Sequence, residues 1–352
     1  MKHCFVGLNK SIDMNRPGGV ETVIRELTVA LTRQNNEIVV YVIDPKQKAV
    51  DSQRINGVLI EKGNIGYIRT QLLKKTFDVV HFLHTPFNDP FFTLQFYFKK
   101  RGEAFLTTKF FLTYPIYRKY PFFEKIKYRY LIDKGIVFSK RLEIEAKKLT
   151  SDLIFLYPPV ADIFFDMRNR RKTIDKTRIA FLGRLSSDKG LDMVIRIFRL
   201  LNPKHYQMYI GGYFTNSDDE KRYMPHLSVL KNVQLSIVPF SGNRTNSDYP
   251  DLSGIDILLL PYQSLAPTVD FPLLSMEGQV AGCQVIASNM GALSSLPGHL
   301  HLVDNYTSEQ AFIDYIESIK RIEKTDPPDF SEWTPRSIAL QLSNAITTMK
   351  AN

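Results

Sequence analysis

Cysteine is nearly absent. Two residues in 352, Cys4 and Cys283, stand far apart, each beside apolar neighbours. A disulfide framework or a cysteine metal site is therefore not expected, and a reducing cytosol is the default compartment. Long apolar runs are missing too. Stretches such as Ile257–Leu260 are far shorter than the roughly 20 residues a spanning helix needs. Lys2 and His3 precede a short apolar run broken by Gly7, Asn9 and Lys10, which is expected to be a first strand rather than a signal peptide. Acidic residues are in deficit, 36 against 46 Lys and Arg, leaving a formal charge of +10. That surplus favours anionic partners (nucleic acid, nucleotide or an anionic membrane face) or serves solubility alone. A hydrophobic content of 44% with 23% charged residues excludes a disordered chain, and 352 residues suit two domains.

Short apolar, β-branched runs alternate with segments of helical period. Strands are expected at Cys4–Leu8, Ile38–Val42, Val79–Phe82, Gly135–Phe138, Ile154–Leu156, Arg178–Leu182, Gln207–Ile210, Val233–Ile237, Ile257–Leu260 and Gln284–Ala287. Repeated β-α alternation of this kind predicts parallel sheets covered by helices on both faces. Two segments open separate α/β units. After the first strand and Pro17-Gly18-Gly19, the residues Val20, Val23, Ile24, Leu27 and Leu31 form one apolar helical stripe. After Arg178–Leu182 and the loop Gly183–Gly190, Leu191, Val194, Ile195 and Phe198 form another. The charged stretch Asp166–Thr177 reads as a connection. The expected architecture is α/β: a Rossmann-like domain over 1–160, a second over 161–330, and a final helix within 331–352 packing back on the first. Two facing parallel sheets would form a cleft at the carboxyl edges of their strands, where α/β proteins bind ligands.

Two elements of the second half carry chemistry. Gly183-Arg184-Leu185-x-x-x-Lys189-Gly190 follows a buried-looking strand and precedes a helix. A guanidinium fork and a compact ammonium there suit a diphosphate, although a solvated βα loop reads equally well from these residues alone. Further on, Asp256-Ile-Leu-Leu-Leu-Pro261 leads to Phe271-Pro272-Leu273-Leu274-Ser275-Met276-Glu277. Pro272 suits the first helical turn and Asp270 the vicinity of the N-cap. The N–H groups of Leu273 to Ser275 would then hold phosphate oxygens. Glu277, one turn later, could accept from a ribose diol or simply face solvent.

These elements resemble glycosyltransferase family 4, retaining enzymes of the GT-B fold. The resemblance runs in order over most of the chain. It takes in Pro17-Gly18-Gly19-Val20-Glu21, Asp78-Val-Val-His81, Gly135-Ile-Val-Phe-Ser139-Lys140, Gly183-Arg184-Leu185…Lys189-Gly190, and Asp256–Pro261 with Phe271–Glu277. It implies that the backbone of Gly18-Gly19 approaches the donor phosphate, that Arg184 and Lys189 bind the diphosphate, and that Glu277 holds the ribose. It also implies that Pro272, Leu273 and Leu274 line the phosphate and that the base lies near Gly211-Gly212 and Val238-Pro239. The donor is a substrate, and neither metal nor other cofactor is implied. Two departures stand out. The family's paired glutamates have seven residues between them, and the first position here is Val269, with Asp270 adjacent as the candidate catalytic carboxylate. Near the acceptor, where the family often has histidine, Phe105–Phe110 offers Lys109, a candidate contact to acceptor or donor phosphate.

Between Phe96 and Tyr130, cations interleave with aromatics. That composition suits an anionic membrane interface presenting a lipid-linked acceptor, a solvated face over core aromatics, or, least well, single-stranded nucleic acid. The expected function is retaining, metal-independent hexosyl transfer from a UDP- or GDP-linked sugar to a glycan or lipid-linked saccharide, in the cytoplasm, with or without peripheral membrane contact. The alternatives are a non-catalytic nucleotide-sugar-binding module, favoured by Val269, and a nucleotide-sugar epimerase or glycan phosphorylase on the same architecture.

Overall fold

Strands that are apolar on both faces need helices above and below, and parallel sheets supply that cover. The computed structural model describes residues 1–8, 12, 18–83, 108–114, 129, 132–169, 176–238, 250–265, 269–298, 300–319 and 328–351. They divide into two units, Met1–Pro159 with Ser331–Asn352, and Val160–Phe330.

The first unit holds β1 (Lys2–Leu8), β2 (Glu37–Ile43), β3 (Asp51–Ile55), β4 (Val58–Gly63), β5 (Val79–Leu83), β6 (Lys109–Tyr114), β7 (Lys134–Val137) and β8 (Leu153–Phe155). Their order in the sheet is β3-β4-β2-β1-β5-β6-β7-β8, and only the β3–β4 hairpin is antiparallel. That hairpin turns on Asn56 and Gly57, both at positive φ, as a two-residue turn of this hand requires. Helices α1 (Gly19–Arg33), α2 (Ile65–Lys74) and α3 (Lys140–Ala146) accompany the sheet. The expected stripe of α1, Val20 to Leu31, is buried throughout. The C-terminal helix, Pro335–Ala351, packs on α1, where the Gln34 amide donates to the Arg336 carbonyl (3.3 Å). Trp333 anchors its entry, fully buried with its ring 5.7 Å from that of Tyr157.

The second unit begins with α4 (Asp162–Arg168) and β9 (Thr177–Arg184). There follow α5 (Leu191–Leu200), β10 (Tyr206–Tyr213), α6 (Ser217–Ser228), β11 (Val233–Ile237), β12 (Ile257–Leu260), α7 (Leu273–Val280), β13 (Gln284–Ser288), β14 (Leu300–Val303) and α8 (Glu309–Ile319). All pairings are parallel, in the order β11-β10-β9-β12-β13-β14. Counted within the unit this is 3-2-1-4-5-6, the Rossmann order. The stretch Asp166–Thr177 does not bridge the units. It begins inside α4, which buries Phe164 and Met167 against the second unit, and the Met167 sulfur receives the Leu252 N–H (3.4 Å). Its described charges, Asp166, Arg168 and Lys176, are exposed or half-buried.

One device recurs at the amino edges of both sheets. Asp78 accepts the Lys2 N–H through Oδ2 (2.8 Å), donates its own N–H to the Lys2 carbonyl (2.9 Å), and its carbonyl receives the Lys109 N–H (3.0 Å). Asp256 does the same with Arg178 (2.9 and 2.9 Å) and Gln284 (2.8 Å). Each aspartate thereby clips three adjacent strands in register, at the strand pair where the order of its sheet reverses. Among the described residues no helix is long and apolar enough to cross a membrane.

Replacing Asp256 by Ala should cost about 1–3 kcal/mol, the worth of a charge-assisted bond whose backbone donor is left behind. Asn, which keeps an acceptor, should cost less. Thermal unfolding checks the ranking, and an Ala variant as stable as wild type removes the clip from the account.

Candidate functional site

The strand order of the second sheet reverses between β9 and β12, and it is there that open α/β sheets bind ligands, beyond the carboxyl ends. Backbone pairing between the two strands ends at Leu258↔Ala180, short of both carboxyl termini. Beyond it the loop after β9 meets the segment after β12. Gly190 stands at φ +83°, and a Cβ there would run into the Pro261 carbonyl, so only glycine lets the two backbones touch. The Asp188 carbonyl accepts the N–H groups of Gln263 (2.9 Å) and Ser264 (3.1 Å), which staples the loop to the far side of the reversal.

Within that loop Arg184 is held from both sides. Its Nε donates to Ser186 Oγ (3.2 Å), a terminal nitrogen donates to the Asp188 carboxylate, and Ser186 Oγ donates to Asp188 Oδ1 (2.6 Å). Lys189 is buried, and its ammonium sits 4.3 Å from the ring centroid of Tyr262. Burial lowers the Lys189 pKa to about 8; Asp188 opposes the shift and Arg184 adds to it. The buried Tyr262 phenol is pushed far up, first by burial and then by the Glu277 carboxylate, with Arg184 pulling the other way. Tyr262 thus feels charge from both the loop and α7.

Helix α7 starts one residue later than the sequence indicated. Pro272 is its N-cap, so Asp270 stands two residues before the cap position. The Ser275 N–H and hydroxyl both donate to the Pro272 carbonyl (2.8 and 2.6 Å), leaving Leu273 and Leu274 as the N–H groups without an intrahelical acceptor. Leu274 lies beside Gly183, where a Cβ would stand 3.4 Å from Leu274 Cδ1. Glu277, one turn on, is buried rather than solvent-facing. Asp270 is also buried, its Oδ1 3.4 Å from where a Gly291 Cβ would stand, and Val269 is buried beside it.

Of the other expected residues, Gly212 stands at the carboxyl end of β10. Its φ of +151° lets it approach the Gly183 carbonyl more closely than a Cβ would allow. Pro239 lies outside the described residues, as do His84 and most of the cationic, aromatic stretch between 96 and 130. Gly18 caps α1 and Gly19 opens it, in the first unit. Lys109 corrects an expectation. It begins β6 rather than ending it, so it sits at the amino edge, roughly 16 Å of strand away from the carboxyl end at Tyr114. His81 is core. It stacks on Phe5 (4.2 Å) and lies 3.1 Å from the His3 ring nitrogen, and burial holds its pKa well below the usual value. Tyr262, Ser186 and Asp188 were not singled out from the sequence; a tyrosine just after the buried strand β12 and Pro261 was the available signal. Among the described residues no three His, Cys, Asp or Glu are grouped to hold a metal.

Residues 162–329 match the family model Glycosyl transferases group 1. The matched segment falls within the second unit. No curated protein matches the chain. Among solved structures, a glycosyltransferase from Rickettsia africae superposes with a TM-score of 0.69 at 15% identity, covering 99% of this chain and 96% of its own. The α,α-trehalose 6-phosphate synthase of Burkholderia multivorans gives 0.63 at 11%, covering 100% and 99%. Starch synthase IV of Arabidopsis thaliana, solved with ADP and acarbose, gives 0.59 at 12%, covering 99% and 97%. At these identities the likeness is one of fold: two Rossmann-like α/β units of the GT-B type, as the sequence indicated.

Two outcomes are expected. Gly190→Ala should lose about 1–3 kcal/mol of stability through strain and the Pro261 contact, read by thermal unfolding. Between pH 8 and 10.5 the unfolded chain keeps the Lys189 proton that the folded chain has released. Unfolding therefore takes up a proton, and stability rises with pH through that window. Comparing wild type with Lys189→Met across the window checks it: the variant should lack this component of the rise.

Proposed function

We propose that the chain transfers a glycosyl unit from a UDP- or GDP-linked sugar to a glycan or lipid-linked saccharide, with retention of configuration and without a bound metal. The observation that supports this best is that the loop bearing Arg184 and Lys189 lies at the strand reversal, with Gly183 beside Leu274 at the start of α7. That junction falls inside the segment matching Glycosyl transferases group 1. ADP in the Arabidopsis starch synthase structure is a nucleoside diphosphate of the kind such a junction would hold.

In this reading the two cations offset the negative charge that gathers on the diphosphate as the glycosidic bond breaks. Arg184 must first exchange the Asp188 carboxylate for phosphate oxygens. The N–H groups of Leu273 and Leu274 take further oxygens, and Glu277 accepts from the ribose diol. Asp270 is the carboxylate nearest the place where Val269 replaces one. Retention and metal independence follow the family that the motifs resemble. A lipid-linked acceptor would bring the protein to the cytoplasmic face of a membrane.

A second reading, a nucleotide-sugar-binding module without turnover, draws on the buried Val269. The two separate in one experiment. UDP- and GDP-sugars are screened for thermal stabilisation, and the stabilising donors are then assayed for transfer and hydrolysis, with the product anomer read by NMR. Transfer should fall by about 100-fold or more in Arg184→Ala and Lys189→Ala, in line with the loss of a transition-state charge donor. It should fall in Asp270→Asn as well. Wild-type rates in the two cation variants would sink the phosphate assignment, and binding without turnover would leave the module.

A further inference from the structure

We infer that Tyr262 is a positioning residue, whose ring face keeps the buried Lys189 ammonium charged and aimed at the strand reversal. The inference rests on the reading of Lys189 as a diphosphate contact and adds a residue to it.

The geometry is specific. The ammonium stands 4.3 Å from the ring centroid, within the range where an aromatic face attracts a cation. Both side chains are buried, so water contributes little to holding the charge. The groups that act on this pair come from every neighbouring element. Asp188 and Arg184 act from the same loop, in opposite senses on Lys189. Glu277 acts from α7 and Tyr213 from the end of β10, each through Tyr262. Asp188, which favours the charged lysine from the same loop, also binds Arg184 and receives the Ser186 hydroxyl. A ring face is a different kind of support. It stabilises the cation without adding a negative charge, and so does not repel an incoming diphosphate as a carboxylate would. The phenol itself stays protonated, because burial pushes its pKa upward.

The ring and not the hydroxyl is therefore the operative group, and Phe should substitute where Leu cannot. The experiment uses the full chain labelled with 13C,15N-lysine. Lys189 is titrated by NMR in wild type, Tyr262→Phe and Tyr262→Leu, and UDP and GDP affinities are measured by calorimetry from pH 6.5 to 9.5. Phe should leave the Lys189 midpoint near its wild-type value, about 8, and the UDP affinity within about twofold. Leu should move the midpoint down by about one pH unit, a tenfold change in the protonation equilibrium, and weaken UDP by about tenfold at pH 7.5. The fall of affinity with rising pH should also begin about one unit earlier. A generally loosened site would not move the lysine titration in step with that profile. If Leu leaves the midpoint unmoved, or if Phe behaves like Leu, the inference is overturned. Lys189→Ala separates it from the reading beneath. UDP binding unchanged in that variant defeats the diphosphate role of Lys189, while the titration in Tyr262→Leu still decides whether the ring holds the charge.

Discussion

The register between β9 and β12 is the constraint on which the second unit's site depends. These strands are neighbours in the sheet but far apart in sequence, so no hairpin fixes their alignment. Asp256 fixes it, binding Arg178 near the start of β9 and Gln284 at the start of β13 from just before β12. With the amino ends clipped and the pairing released after Leu258, the carboxyl ends are free to carry divergent loops. The Asp188 carbonyl and Gly190 then close those loops onto each other. Asp78 repeats the clip at the β1–β5 reversal of the first sheet.

On that frame sits the charge arrangement of the loop Gly183–Gly190. Arg184 is occupied by Asp188, and Lys189 rests on Tyr262. A cation with a carboxylate beside it is cheap to keep folded, since its field is already compensated. A cation over a ring is costlier, and its lowered pKa records that cost.

Much of the fold was legible. Ten expected strands lie where the apolar runs stand, and the stripes of α1 and α5 are buried as their period requires. Strands β3, β4, β6 and β14 were not read. The first of these is polar and largely exposed, so its evidence lay in the Asn56-Gly57 turn rather than in hydrophobicity. The loop Gly183–Gly190 and helix α7 were legible as candidates because glycine, proline and charge punctuate them. Their boundaries were not, because Pro272 fits a cap as well as a first turn. The place of Lys109 was not legible, because a residue's position along a strand decides whether it reaches the carboxyl or the amino edge.

The sequence by itself determined the alternation of strands and helices, hence parallel sheets, and the cationic loop that follows one of those strands. Side-chain period and backbone chemistry are local and can be read in a line. Tertiary structure alone decided that this loop meets the segment after β12 and that a tyrosine 73 residues further along the chain lies under Lys189. Those contacts arise from strand order and register, which are set by packing between distant segments and leave no mark on the residues nearby in sequence.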